Sequence, residues 1–171
     1  MDLASTIRDV PDFPKEGILF KDITTLLKNP AALRETIKRM QDFCVGKDID
    51  VIAGIESRGF IFGVPLAHEL GLGFIPIRKP GKLPAETISE SYALEYGTAT
   101  IEIHTDAIQP GQNVLIVDDL LATGGTAQAA CKLIRRLRGD VAGLLFAIEL
   151  AFLPGREVLA GENVHAIVTF D

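Results

Sequence analysis

One apolar segment, followed directly by two aspartates and a pair of glycines, constrains the fold of this chain more than any other part of the sequence. It runs Val114-Leu115-Ile116-Val117-Asp118-Asp119-Leu120-Leu121-Ala122-Thr123-Gly124-Gly125-Thr126. The apolar run predicts a strand buried on both faces, which is typical of a parallel sheet covered by helices. Carboxylates at the end of such a strand are costly unless they have partners. We therefore expect a ligand site there, because open α/β sheets bind ligands at the carboxyl ends of their strands.

The residues Ala122, Thr123, Gly124, Gly125 and Thr126 predict an anion-binding loop. Glycine permits backbone angles that turn N–H groups towards a phosphate. The helix predicted over 125–137 adds the partial positive charge of its N-terminus. Asp118 and Asp119, beside the loop, are acceptors suited to vicinal hydroxyls, so the segment favours a phosphorylated ribose. An ordinary strand, turn and capped helix is the alternative.

Strand and helix patterns alternate along most of the chain. Apolar runs predict further strands over 51–55, 74–77, 141–148 and 164–170. Helices are predicted over 3–8, 30–44 and 60–70, the second with Asn29 as its cap and Pro30 at its first position. This alternation predicts an α/β fold with a parallel-rich central sheet flanked by helices, and 171 residues fit a single domain over 1–171.

The interval 78–95 interrupts this alternation, because it holds two prolines, a glycine and few large apolar residues. Alternating residues around Gly97 predict a hairpin. A loop this long in a compact domain is usually functional or disordered. Three cations, Arg78, Lys79 and Lys82, suit a pyrophosphate leaving group, although a solvated run of charge is the alternative.

A second turn, Glu56-Ser57-Arg58-Gly59, joins the strand over 51–55 to a helix. It therefore lies at the same edge of the predicted sheet as the two aspartates. A guanidinium and exposed amides at this edge suit a diphosphate. The alternative is a capped turn with a surface arginine.

Composition disfavours several classes of function. The chain has 17 Lys and Arg against 23 Asp and Glu, a net charge of −6, and residues 83–131 hold seven acids and no Lys or Arg. General duplex binding needs cations, so nucleic-acid partners are not expected. Apolar runs are too short to cross a membrane and the N-terminus lacks a signal-peptide pattern. The histidines lack zinc spacing, and the two separated cysteines predict free thiols in the cytoplasm.

Four segments together resemble the type I phosphoribosyltransferases. Residues 114–126 resemble the family's phosphoribosyl-pyrophosphate motif, and the Leu-Leu-Ala within them resembles the branch that uses adenine. Residues 11–23 resemble its N-terminal hood, 54–60 its pyrophosphate loop and 78–97 its flexible loop. The resemblance covers nearly the whole chain in order. It implies the type I phosphoribosyltransferase fold, with a small hood largely from residues 1–30 and a flexible loop over about 78–97.

The resemblance also implies an activity. It is transfer of the 5-phosphoribosyl group from 5-phosphoribosyl-1-pyrophosphate to adenine, giving AMP and pyrophosphate in purine salvage. Magnesium would accompany the diphosphate, and no protein ligand of the metal is assigned. Glu95 would be the catalytic acid/base that contacts the purine. The family is usually a homodimer, and we expect neither nucleic acid nor membrane as a partner.

The remaining implied contacts divide among the parts of the substrates. The 5′-phosphate is assigned to Ala122, Thr123, Gly124, Gly125 and Thr126, and the ribose hydroxyls to Asp118 and Asp119. Pyrophosphate is assigned to Glu56, Ser57, Arg58, Arg78, Lys79 and Lys82. Adenine is assigned to Leu19, Phe20, Lys21 and Leu150, with Lys21 standing where the family often has arginine.

Two alternatives stay open at this point: another nucleobase, or a regulator that binds phosphoribosyl pyrophosphate and controls transcription. Residues 150–171 contain no lysine, whereas 6-oxopurine enzymes generally place one near O6, so adenine is favoured. The complete flexible loop with Glu95, and the lack of a basic face, favour catalysis over regulation.

Overall fold

The computed structural model describes residues 1–171, and five of its nine strands follow the apolar runs of the sequence. The strands are Arg8–Pro11 (β1), Leu19–Asp22 (β2), Val51–Ile55 (β3), Gly73–Ile77 (β4), Thr87–Ala93 (β5), Thr98–His104 (β6), Asn113–Leu121 (β7), Asp140–Leu150 (β8) and Val164–Phe170 (β9). The helices are Thr24–Lys28 (α1), Pro30–Cys44 (α2), Glu56–Leu70 (α3), Gly125–Arg136 (α4) and Gly155–Val158 (α5). A 3₁₀ turn covers Ala4–Thr6.

Five strands form the central sheet in the order β4-β3-β7-β8-β9, and every neighbouring pair is parallel. The predicted α/β fold with a parallel sheet is therefore confirmed. From β3 the chain moves outwards to β4, and from β7 it moves outwards the other way to β8. The strand order thus reverses between β3 and β7, which is where an open α/β sheet forms its binding crevice.

Apolar side chains cover both faces of this sheet. On one face Ile52, Leu115 and Val117 pack with α1, α2 and α3 in a cluster of 18 buried residues. On the other face Ala53 and Ile116 pack with α4 and the β6 strand in a cluster of 20. Successive residues of a strand point to opposite faces, so a strand buried on both faces must be apolar throughout.

The helix ends mostly follow local sequence signals. The Asn29 side chain accepts hydrogen bonds from the N–H groups of Ala31 and Ala32 and so caps α2 as predicted. Gly71 ends α3 in the left-handed region, with φ of 67°. No helix is long and apolar enough to cross a membrane.

Three predicted boundaries are wrong. The helix predicted over 60–70 begins at Glu56, so the predicted turn Glu56-Ser57-Arg58-Gly59 is the first turn of α3. The predicted helix over 3–8 is only a 3₁₀ turn, because Arg8 joins β1 and its side chain pairs with Asp22 of β2. The predicted strand over 114–117 continues to Leu121, so Asp118 lies within the strand rather than after it. The cause is the register with β8, in which Asp118 lies opposite Phe146 and backbone pairing continues to Leu121.

The segments predicted as hood and flexible loop form two small separate sheets. In the first, β1 and β2 form an antiparallel pair within residues 1–30. In the second, β5 and β6 form the hairpin predicted around Gly97, where φ is 81°. The segment 78–97 therefore contains a regular strand from Thr87 onwards.

Candidate active site

A cleft opens at the carboxyl ends of β3 and β7. It consists of two adjoining cavities of about 560 and 190 Å³. Four residues line both of them: Arg58, Asp118, Asp119 and Thr126. The larger cavity extends towards the first turn of α3, and the smaller one towards the loop after β7. The cleft is therefore one continuous site with two ends, as the strand reversal leads us to expect.

The structure brings together about half of the site residues predicted from the sequence. Those on the larger cavity only are Glu56, Ser57 and Lys79. Those on the smaller cavity only are Ala122, Thr123 and Gly124. Those that line neither cavity are Leu19, Phe20, Lys21, Arg78, Lys82, Glu95, Gly125 and Leu150.

Electrostatics at the centre of the cleft are set by two neighbouring carboxylates. The Asp119 side chain is buried, and its Oδ2 lies 2.9 Å from Nε of Arg58. The backbone N–H of Asp119 donates to Oδ1 of Asp118 at 2.8 Å. Burial raises the pKa of Asp118 well above its ordinary value, and the adjacent charge of Asp119 raises it further. The pair therefore offers several acceptor oxygens to a ligand at a considerable electrostatic cost.

The start of α3 approaches β7 very closely at Gly59. A Cβ atom at Gly59 would stand 2.8 Å from the carbonyl oxygen of Val117 and 3.1 Å from Oδ1 of Asp118. Only glycine fits there without moving the helix off the strand. This contact places the Arg58 guanidinium over the aspartates.

The segment 122–126, which we call the phosphate loop, turns from β7 into α4. Gly124 has a φ of 85°, in the left-handed region that favours glycine. Helix α4 begins at Gly125, and its cap residue Gly124 and first-turn residues Thr126 and Ala127 line the smaller cavity. The loop has no cationic side chain of its own, so backbone N–H groups and the helix N-terminus are its means of holding an anion.

The β5–β6 hairpin is fastened to α4. The Thr126 hydroxyl donates to the Tyr92 hydroxyl at 2.7 Å, and Tyr92 lines the larger cavity. Glu90 pairs with Arg136 at 3.3 Å and with Lys132 at 3.6 Å. Sequence reasoning missed Tyr92 as a site residue. Its position two residues from Glu90, on the same face of a strand, was the only available signal.

The three cations that follow β4 lie in different surroundings in the structure. Lys79 lines the larger cavity, and its backbone N–H donates to the Glu56 carboxylate. Arg78 does not line the cavity. Its Nη2 atom lies 3.4 Å from Oε2 of Glu56, and its Cζ atom lies 5.6 Å from the centre of the Phe60 ring. The Nε atom of Arg78 is buried without a hydrogen-bond partner. Lys82 is exposed outside the cleft.

Glu95 lies at the tip of the β5–β6 hairpin. The turn is closed by a hydrogen bond from the Leu94 N–H to the Gly97 carbonyl at 3.0 Å. Glu95 is exposed there, and its neighbour Tyr96 is 82% exposed.

The residues assigned to adenine belong to β2 and to the end of β8. The Lys21 ammonium group is 4.0 Å from the centre of the Phe170 ring and 2.6 Å from Oδ1 of Asp9. Phe170 lies opposite Leu150 in the β8–β9 register. Phe20 is half-buried in β2. Protein groups therefore already satisfy the charge of Lys21.

Comparisons with known proteins agree with this geometry. The family model described as the phosphoribosyl transferase domain matches residues 22–150. The chain is 61% identical over 168 residues to the adenine phosphoribosyltransferase of Halothermothrix orenii, covering 98% of this chain and 99% of that protein.

Solved structures give the same result. The crystal structure of adenine phosphoribosyltransferase from Thermoanaerobacter pseudethanolicus matches with a TM-score of 0.96 and 52% identity, over 99% of this chain and 98% of that one. The Saccharomyces cerevisiae enzyme matches with a TM-score of 0.91 and 41% identity, over 97% and 96%. That yeast enzyme was crystallised with an imino-altritol bisphosphate and adenine.

Replacing Asp118 by asparagine should stabilise the ligand-free protein at neutral pH. A raised pKa means that the folded protein keeps the Asp118 proton where the unfolded chain has released it. Folding stability is therefore lost as pH rises above 3.8, the ordinary value for aspartate. The asparagine cannot lose a proton, and its amide oxygen still accepts the Asp119 N–H bond. We expect Asp118→Asn to raise the melting temperature at pH 7 by at least about 2 °C.

Thermal melts of both proteins between pH 4 and 7 test this expectation. The gain from Asp118→Asn should shrink as pH falls towards 3.8. Asp106→Asn is the control, because Asp106 is exposed in the turn after β6 and lines neither cavity. A gain from Asp118→Asn that is independent of pH would contradict the burial cost argued above.

Proposed function

The chain belongs to the phosphoribosyltransferase family, and we propose that it transfers the 5-phosphoribosyl group of 5-phosphoribosyl-1-pyrophosphate to adenine. The products are AMP and pyrophosphate. The observation that carries this proposal is the full-length similarity to adenine phosphoribosyltransferases. The cleft supports it, because Asp118 and Asp119 lie between the phosphate loop and the pyrophosphate side, where the cations Arg58 and Lys79 line the cavity.

The three parts of the cleft correspond to the three parts of the phosphoribosyl donor. The phosphate loop receives the 5′-phosphate through backbone N–H groups and the N-terminus of α4. Asp118 and Asp119 accept hydrogen bonds from the ribose hydroxyls. Glu56, Ser57 and Arg58 lie on the pyrophosphate side. Held at both ends, the donor presents its anomeric carbon in a fixed orientation, which lowers the entropic part of the barrier.

Bond cleavage at the anomeric carbon places negative charge on the departing pyrophosphate. Arg58 and Lys79 line that side of the cleft, and cations placed before the reaction stabilise charge as it develops. Arg78 and Lys82 add positive charge in the same segment. The ribose passes through an oxocarbenium-like state, as in glycoside cleavage. No covalent enzyme intermediate is needed.

Magnesium fits this cleft as a companion of the diphosphate. The structure contains no cluster of three or more His, Cys, Asp or Glu side chains that could hold a metal ion alone. Mg²⁺ is usually bound through one or two carboxylates, waters and substrate phosphates, and Asp118 and Asp119 supply carboxylates beside the pyrophosphate side. When bound, the ion would offset the charge of the leaving group.

Glu95 acts as the acid/base for the purine in this proposal. It handles the proton on the nitrogen that bonds to ribose. The exposed position of the hairpin tip requires that the turn around Gly97 moves over the cleft when substrates are bound. Such a closure would also exclude water from the reacting atoms.

Adenine is assigned to side chains of β2 and of the end of β8. Phe20 would stack on the purine, Leu19 would offer backbone hydrogen bonds to its edge, and Leu150 would cover the opposite face. Lys21 follows Phe20 in β2. Its ion pair with Asp9 and its contact with Phe170 support a role in holding the hood rather than in bonding the base.

We propose that the chain forms a homodimer. Ile61 and Val64 are 37% and 47% exposed and lie one turn apart on the same helix, α3. A second copy would remove this apolar pair from water. Sedimentation velocity should give twice the mass of one chain, and Val64→Glu should reduce it to the mass of one chain. A wild-type protein of single-chain mass would refute the dimer.

A cytoplasmic location is proposed on the chemistry of the thiols. Cys44 and Cys131 are both free and buried. Burial raises the pKa of Cys131 to about 12 and that of Cys44 to about 11, which keeps both thiols protonated. Unpaired cysteines are typical of a reducing compartment.

Pyrophosphate release tests the reaction directly. The protein is incubated with magnesium, phosphoribosyl pyrophosphate and adenine, hypoxanthine or guanine in turn. We expect turnover with adenine to exceed that with either 6-oxopurine by about a hundredfold or more, because an unmatched hydrogen-bonding edge is strongly rejected. Absence of turnover with adenine would refute the proposed function, and faster turnover with another base would reassign the substrate.

Replacing Glu95 by glutamine tests its catalytic role. Glu95→Gln keeps the shape of the side chain but removes its proton-transfer capacity, so kcat should fall about 10²–10⁴-fold while the Kd for AMP is unchanged. Glu86→Gln is the matched control, because Glu86 is exposed at the other end of the hairpin. Equal losses in kcat and AMP affinity would indicate a binding role for Glu95 instead.

A further inference from the structure

An ion pair outside the cleft joins Glu149, near the end of β8, to Arg156 in α5. Glu149 is 4% exposed. Its two carboxylate oxygens accept hydrogen bonds from Nε and Nη2 of Arg156, each at 2.7 Å. The third nitrogen, Nη1, donates to the carbonyl of Val164 at 3.0 Å. The guanidinium therefore connects α5 to both β8 and β9 in a fixed fork geometry.

The short helix α5 lies directly against the phosphate loop. A Cβ atom at Gly155 would stand 2.6 Å from the carbonyl oxygen of Ala122. From the loop side, a Cβ atom at Gly124 would stand 3.0 Å from the carbonyl oxygen of Gly155. The Gln128 side chain in α4 adds a hydrogen bond to the Val158 carbonyl at 3.1 Å. Because the two backbones are packed this closely, a shift of α5 must also shift the phosphate loop.

We infer that Glu149 and Arg156 form a positioning unit for the phosphate loop. The pair holds α5 against β8 and β9, and α5 holds the loop backbone in the shape that receives an anionic group. Neither side chain lines the cleft, so the pair acts through the loop and not on the substrate. The inference rests on the proposed function, in which this loop binds the 5′-phosphate.

An ion pair suits this place because the loop must be held in a particular orientation. An anion in the phosphate loop is held by backbone N–H groups, so its binding depends on the angles of a few peptide units. A bidentate guanidinium–carboxylate pair fixes orientation as well as distance, which an apolar contact of the same volume does not. Small errors in such a support are amplified in ligand binding, because the donors no longer converge.

The test separates phosphate binding from nucleoside binding. Calorimetry gives the Kd of AMP and of adenosine for the wild type, and their ratio measures the contribution of the phosphate. Arg156→Lys keeps the charge but loses the fork, so we expect this ratio to fall about tenfold or more, with the adenosine Kd little changed.

A double variant tests the same inference without leaving a buried charge unpaired in the folded protein. Removing one partner alone would leave a buried charge unpaired, so Glu149→Gln combined with Arg156→Met removes both charges together. The same selective loss is expected in this double variant. Arg135→Lys is the matched control, because Arg135 is 53% exposed and pairs with Glu162 at 2.7 Å, away from the loop. Its ratio should equal that of the wild type.

The outcomes distinguish the positioning role of the ion pair from phosphate binding by the loop. Parallel losses of AMP and adenosine affinity, or an unchanged ratio in both variants, would refute the positioning role. A wild type that binds AMP no more tightly than adenosine would instead refute phosphate binding by the loop, and the positioning role with it.

Discussion

The whole site depends on the cost of holding two adjacent carboxylates at the carboxyl end of a central strand. Asp118 and Asp119 repel each other in a partly buried place, and burial together with that repulsion raises the pKa of Asp118. Arg58 offsets part of the cost through its contact with Asp119, and it reaches that position only because Gly59 lets α3 touch β7. Vicinal hydroxyls and the cations that accompany a diphosphate would offset the remainder, so ligand binding relieves an unfavourable arrangement that folding creates.

The β5–β6 hairpin combines a firmly held base with an exposed tip. Its first strand is held to α4 by the bond between Tyr92 and Thr126 and by the pairing of Glu90 with Arg136. The tip around Gly97 has no comparable contact and carries the exposed Glu95. Because Thr126 also belongs to the phosphate loop, the hairpin base and the anion site share one hydroxyl. Occupancy of the loop is thereby connected to the hairpin whose tip carries the proposed acid/base.

Sequence reasoning succeeded where a structure is determined locally. The buried strand over 51–55, the Asn29 cap and the glycine end of α3 all follow from residues within a few positions of one another. It failed where distant pairing decides. The extension of β7 through Asp118 depends on its register with β8, and α5 is four residues long with no periodicity of its own. The role of Glu95 came only from a family resemblance, because an exposed glutamate in a hairpin has no distinctive pattern.

The acidic side chains of residues 83–131 also depend on contacts with residues that are distant in the sequence. The segment contains no Lys or Arg, so its charges are met by cations from elsewhere: Arg58 reaches Asp119, while Lys132 and Arg136 reach Glu90. None of these cations belongs to the phosphate loop, which lies inside the acidic segment, and of them only Arg58 lines the cavity beside the loop. The loop itself must therefore hold an anion with backbone donors in a largely negative surrounding field. Backbone donors succeed in that field only if they converge, and convergence requires a loop with a rigid support on its far side. In this fold α5 packs on the loop backbone through Gly155, beside Ala122 and Gly124, which makes its anchorage as important for the loop as the loop's own sequence.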